Sequence, residues 1–202
     1  VGVSMGSTLF EVVSHVVHPA AQKVTFVPLV GGVGRVRMEL HANSLAESLS
    51  RIYDGKFVPL HAPARVSSRN IRDELLKEDS LLPAIYLTQK LDIAVVGIGY
   101  PNEKSAIMAT GYFKENEIES LIDRKVAGEL CMQFYDIYGD TAPYKDDNNV
   151  IGMDISMLRS VPRSIGIAGG VEKLRAVRGA INGHYINTLI TDIECAEALI
   201  SE

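Results

Sequence analysis

Cysteine is scarce in this chain, and neither residue stands where metal or covalent chemistry would need it. Cys131 and Cys195 are far apart, give no paired ligand spacing and cannot build a disulfide framework. Both sit in apolar patterns, so buried thiols in a reducing cytoplasm are expected. Long apolar runs are missing too: no segment approaches the ~20 residues that a membrane-spanning helix needs, and no membrane partner is expected. No signal peptide is visible, although the first residue is Val1 rather than Met. The expectation is a chain cut from something longer. Positive charge is in deficit, with a formal net charge of −5. Its densest places are Arg35, Arg37 and the stretch from Arg65 to Arg72. That is no footprint for nucleic acid, so any DNA contact belongs to another part of the protein. The familiar catalytic signatures are absent as well: there is no Gly-x-Ser-x-Gly elbow, P-loop lysine, HExxH or paired-cysteine site. His15, His18, His61 and His184 are dispersed, and Asp146-Asp147 reads as a solvated loop. No nucleophile has an adjacent base. Neither a catalytic set, a metal nor a cofactor is expected.

What is present is a strict alternation. The 202 residues, 47% hydrophobic and 22% charged, suffice for one domain with a full core. Strands are predicted at Lys23–Val30, Phe57–Leu60, Asp92–Gly99, Glu129–Tyr135, Arg163–Ala168 and Ile186–Thr191. Helical spacing marks Met38–Tyr53 through Leu45, Leu49 and Ile52, and also Glu115–Ile122, Val171–Ile181 and a capped Asp192–Ile200. The helical stretch from Ile71 to Leu91 is expected to break and restart at Leu82-Pro83. Alternation of this kind predicts an α/β fold, a largely parallel sheet with helices on both faces.

Glycine gathers at the strand exits. The first exit reads Ser4-Met5-Gly6-Ser7-Thr8; the others are Gly31-Gly32, Gly97 with Gly99, and Gly169-Gly170. A Gly-Ser-Thr turn opening a helix offers unpaired N–H groups and partial positive charge to a phosphate, and it also serves as an ordinary cap. Glycine at four exits fits close backbone approach to a shared ligand, or simply tight turns. Lys173 stands in a first helical turn, where the helix dipole disfavours a cation unless an anion is bound. Glu129, near a strand start, can accept from vicinal sugar hydroxyls or be a solvated edge residue. His41, with Asn43, stands where it could reach the same crevice or lie on a helix surface.

The succession SMGSTLFEV, VPLVGG, VVGIG, AGELCMQFYD-x-x-G, IAGGVEK and INTLITD resembles the effector-binding domain of SorC-type and deoxyribonucleoside-type sugar-responsive bacterial transcriptional regulators. The resemblance covers essentially the whole chain, residues 1–202. It implies a Rossmann-like fold similar to the sugar-isomerase and CoA-transferase superfamily, and a phosphorylated sugar as effector. It also implies operator DNA bound through an N-terminal helix-turn-helix domain outside this chain, and a cytoplasmic homodimer or tetramer. By the same resemblance, the phosphate-binding positions are Gly6, Ser7, Thr8, Gly31, Gly32 and Lys173. The sugar-facing ones are His41, Glu129, Gly97, Gly99 and Gly170.

Two departures shape the expectation. Some members carry arginine or a Schiff-base lysine just before the glycine pair, where this chain has Val30, and Ala106–Gly111 lacks an arginine. A monophosphorylated sugar held non-covalently is therefore expected, rather than a bisphosphate or a covalent adduct. The rival is a sugar-phosphate isomerase or deaminase of the same superfamily, for which Glu129 is the only candidate base. A CoA-transferase-like protein would need a nucleophilic glutamate whose setting is not found. Residues 65–72 and 141–149 match nothing.

Overall fold

The apolar runs become strands of a parallel sheet, whose members must be apolar on both sides because helices cover both faces. A computed structural model describes residues 1–17, 23–34, 36–102 and 110–201. Its strands are β1 (Gly2–Val3), β2 (Thr25–Pro28), β3 (Lys56–Phe57) and β4 (Ile93–Gly97), then β5 (Gly128–Leu130), β6 (Gln133–Tyr135), β7 (Arg163–Ile167) and β8 (Thr188–Ile190). Six of them form one sheet in the order β3-β2-β1-β4-β7-β8, every neighbouring pair parallel. β1 lies inside it, with Gly2 registered to Val27 on one side and to Ala94 on the other. Connections from β1 run toward one edge and those from β4 toward the other, so the sheet is doubly wound. This is the largely parallel α/β arrangement that the alternation predicts and the Rossmann-like one that the resemblance implies.

The helices are α1 (Ser7–Ser14), α2 (Ala42–Ile52), α3 (Arg69–Leu75), α4 (Leu82–Thr88), α5 (Glu115–Asp123), α6 (Leu174–Asn182) and α7 (Ile193–Ser201). Leu9 and Val13 of α1 and Leu45 and Leu49 of α2 pack with Val3, Phe26 and Ile167 into one core. A larger core holds Val96, Ile98, Phe134, Tyr135 and Tyr144. The predicted interruption at Leu82-Pro83 is the start of α4, with Pro83 in the first turn, where its missing N–H loses nothing. Asp192 caps α7 as expected, its Oδ1 accepting from the Cys195 N–H at 2.8 Å. Both cysteines are free and buried, and burial pushes the Cys131 thiol well up. Among the described residues, no helix is long and apolar enough to cross a membrane.

One expectation is corrected. Glu129–Tyr135 is not one strand but an antiparallel hairpin standing outside the main sheet, with Leu130 opposite Gln133. The chain reverses at Cys131 and Met132, whose φ values of +51° and +63° supply the handedness that a two-residue hairpin turn requires. Such turns usually advertise themselves with Asn-Gly; here the sequence offers Cys-Met. Asp146 and Asp147 lie in a turn with Asp146 exposed, as expected, and Asp147 accepts from Arg124 there at 2.8 Å.

The hairpin is fastened to α6 by the buried Tyr135 hydroxyl, which donates to the Ala176 carbonyl at 3.0 Å. Tyr135→Phe removes that bond and leaves the carbonyl only its partner within the helix. Urea denaturation should show a loss of about 1–2 kcal/mol with unchanged slope.

Candidate functional site

Reversal of strand order between β1 and β4 opens a crevice beyond their carboxyl ends, where open α/β sheets bind ligands. The sheet order sets the glycine-bearing exits side by side: Gly31-Gly32 after β2, Gly6 after β1, Gly97 and Gly99 with β4, and Gly169-Gly170 after β7. At the centre is a cleft of about 40 Å³ lined by Ser4, Met5, Gly6, Gly97, Thr110, Glu129, Cys131 and Met132, room for a few waters. Residues 103–109, which precede Thr110 and include most of Ala106–Gly111, lie outside the described residues.

Two backbones meet across the cleft through Ser4, whose buried Oγ accepts from the Gly97 N–H at 3.1 Å. Beyond it, Gly6 at φ +125° turns the chain into α1. Gly6 itself donates to the Leu40 carbonyl, and no side chain caps α1. Among the described residues the amides of Ser7, Thr8 and Leu9 find no acceptor. Those unspent donors and the dipole of α1 make its N-terminus attractive to an anion.

The opposite wall is the hairpin. Glu129 pairs its backbone with Gly99 in both directions, at 2.8 and 3.1 Å, and its Oε2 accepts from the Met132 N–H at 2.9 Å. The carboxylate thereby closes the turn at Cys131-Met132, whose left-handed residues each carry strain of order 1 kcal/mol or more. Gly99 leaves the carboxylate its place, because a Cβ on it would stand 2.1 Å from Glu129 Oε1 and displace it. Glu129 keeps some accessible surface, yet burial raises its pKa from 4.5 to about 7. The Met132 N–H and the charge of Lys173 oppose that rise. Lys173, partly buried in a short 3-10 turn (Val171–Lys173) ahead of α6, therefore acts electrostatically on the same place.

Other predicted residues are occupied elsewhere. Gly31 donates to the Ile151 carbonyl at 2.9 Å and Gly32 to that of Ala62 at 2.7 Å. The close approach they permit is to the chain at Ala62-Pro63, where a Cβ on Gly31 would meet carbonyl oxygens at 2.5 and 2.6 Å. Neither amide is available to a phosphate without breaking these bonds. Gly170 donates to Asp192 Oδ2 at 2.5 Å, which ties the exit of β7 to that of β8. With Cys195, that donation holds the Asp192 carboxyl below its usual range. His41 caps α2 from its start, its Nε2 3.1 Å from the Val36 carbonyl, and is absent from the cleft lining. Val30 is fully buried. Sequence reasoning missed five residues of this lining: Ser4, Met5, Thr110, Cys131 and Met132. Ser4 was within reach, being a small hydroxyl residue two positions before the turn glycine.

The family model for "Sugar-bind", described as a putative sugar-binding domain, matches residues 1–201. The chain belongs to this sugar-binding domain family. The domain is 29% identical over 202 residues to the sorbitol operon regulator of Klebsiella pneumoniae, and 26% identical over 204 residues to the deoxyribonucleoside regulator of Bacillus subtilis. Those alignments cover 99% and 100% of the chain but 64% of each relative. Among solved structures, the probable sor operon regulator of Shigella flexneri superposes with a TM-score of 0.88 at 29% identity, over 98% of this chain and 78% of that one. The full-length sorbitol operon regulator from Klebsiella pneumoniae does so at 0.88 and 30%, over 98% and 66%. The sugar-binding domain thus shares its fold with parts of these operon regulators.

The raised carboxyl gives a signed pH dependence. Glu129 binds its proton more tightly folded than unfolded, so its stabilising contribution is full below pH 4.5 and is lost as pH rises through about 7. The effect amounts to at most about 3 kcal/mol. Glu129→Gln, which keeps an acceptor for the Met132 N–H, should flatten the decline in unfolding free energy across that interval.

Proposed function

We propose that this domain senses a monophosphorylated sugar, held non-covalently across the β1–β4 crevice, within a cytoplasmic transcriptional regulator. The carrying observation is that α1 starts with unspent amides directly after Gly6, which lines one cleft together with Glu129, while the Lys173 charge acts on the Glu129 carboxyl. The phosphoryl group would lie on Ser7, Thr8 and Lys173, each charge-assisted bond contributing about 1.5–3 kcal/mol. Glu129 would choose among sugars through their hydroxyls. Val30, apolar and buried, supplies neither a second phosphate contact nor a Schiff base.

Names of relatives support the regulatory half. The chain spans 64% of the sorbitol operon and deoxyribonucleoside regulators, and we assign operator contact to the remaining part of the intact protein, acting as a homodimer or tetramer. Binding need favour one arrangement by only about 1.4 kcal/mol for a tenfold change in population. Catalysis is disfavoured because Glu129 spends one oxygen on the Met132 amide, and no second acid or base lines the cleft among the described residues.

Thermal melting with a panel of sugar phosphates, alongside product analysis, tests this. Stabilisation without turnover by at least one sugar phosphate, and none by the free sugar, is expected; turnover would overturn the sensor assignment. Lys173→Ala should weaken the stabilising ligand at least tenfold. Gly99→Ala, by displacing the Glu129 carboxylate, should erase discrimination among sugars more than it erases affinity for the phosphate.

A further inference from the structure

We propose that the depression between α3 and the segment 140–148 is a second binding site, for a small anion that also carries hydroxyl groups. Two stretches that the family resemblance leaves unaccounted for, residues 65–72 and 141–149, meet there. The depression has a volume of about 250 Å³, and its lining includes Arg69, Arg72, Lys145, Asp140, Asn148 and Asp154. It shares no lining residue with the β1–β4 cleft.

The cations in it are unspent. Arg65, the first of its stretch, is turned to other partners: it donates to the Tyr112 carbonyl at 2.7 Å, pairs with Glu117 at 3.3 Å and lies 4.2 Å from the Phe113 ring centroid, with only its Nε unpaired. Arg69, Arg72 and Lys145 make no ion pair or side-chain hydrogen bond among the described residues. The Nε of Arg72 is buried without any acceptor. An orphaned donor on a charged group is costly and calls for a partner.

The acids are half spent. Asp140 Oδ1 accepts from the Ala142 N–H and Asp154 Oδ1 from that of Ser156, each at 2.9 Å. Neither carboxylate reaches a cation of the same depression, although Asp147 close by pairs with Arg124 at 2.8 Å. Donors and acceptors therefore line one depression without meeting. A ligand whose anionic end takes Arg72 and Lys145, and whose hydroxyls donate to Asp140 and Asp154, satisfies both sets. Guanidinium groups suit phosphate and carboxylate alike.

Calorimetric titration of the Lys173→Ala protein, in which the crevice is weakened, reads this depression separately. Glycerol 3-phosphate and tartrate are the probes, with sulfate as an anion lacking hydroxyls. One hydroxylated probe should saturate at one equivalent, and which of them does so identifies phosphate or carboxylate as the anionic end. Adding Arg72→Gln and Lys145→Gln should weaken that probe at least tenfold, and Lys145→Gln alone, at an exposed position, should weaken it measurably. Asp140→Asn with Asp154→Asn, which keeps a side-chain acceptor for the Ala142 and Ser156 N–H groups, should weaken the hydroxylated probe and leave sulfate no weaker. No saturable binding of either hydroxylated probe to the Lys173→Ala protein, or binding indifferent to the Arg72 and Lys145 changes, overturns the proposal.

Discussion

The rest of the structure depends on a topological constraint, the adjacency of β1 and β4. Their onward connections leave in opposite directions, so no crossover helix covers the gap at their carboxyl ends. Two short exits, Ser4–Gly6 and Gly97–Gly99, must therefore finish each other's hydrogen bonding, and the Ser4 hydroxyl with the Gly97 amide is where they do so. Once these backbones are tied, α1 begins just beyond the carboxyl end of β1 with its first amides unpaired. The Gly99 backbone becomes the docking strip for Glu129. Every feature of the crevice is a consequence of that one adjacency.

Much of this was legible beforehand. Apolar runs with helical spacing between them dictated a parallel sheet, and glycine marked four of its exits. Ser4, Met5 and Gly6 of the first exit line one cleft with Glu129, and Ser7 and Thr8 are not in that lining. What the residues could not reveal was which glycines serve a ligand and which serve the chain. Gly31 is crowded by carbonyls of Ala62 and Pro63, a contact separated by some thirty positions that no local pattern encodes. The hairpin was hidden for a different reason. Cys131 and Met132 are poor formers of a left-handed turn, and a continuous apolar run through them imitates a strand. A glutamate two residues upstream, accepting from the turn amide, stabilises what local preference opposes.

Strain and burial in the hairpin have a common origin. The turn needs an acceptor for the Met132 N–H, and the only way to supply one from Glu129 is to draw its carboxylate into the sheet against Gly99. Drawing it in raises its pKa toward neutrality. The site thus holds a carboxyl that both accepts and donates near pH 7, a versatile partner for hydroxyls, which do both as well.

Geometry also joins the two ends of the proposed ligand. Glu129 sits on β5, whose partner strand β6 carries Tyr135, and the Tyr135 hydroxyl holds the Ala176 carbonyl in α6. That helix follows directly on the turn bearing Lys173. A sugar pressing on the hairpin and a phosphoryl group pulling on Lys173 would therefore load the same packed block, not two independent loops. Gly128 tightens the coupling, since a Cβ there would stand 2.5 Å from the Tyr135 hydroxyl and 2.7 Å from Ala176 Cβ. Close-packed elements of this kind shift as bodies rather than deform. Contact with either end of the ligand alone would bias the block only weakly; both together set one position for the hairpin, α6 and the α7 helix packed on it.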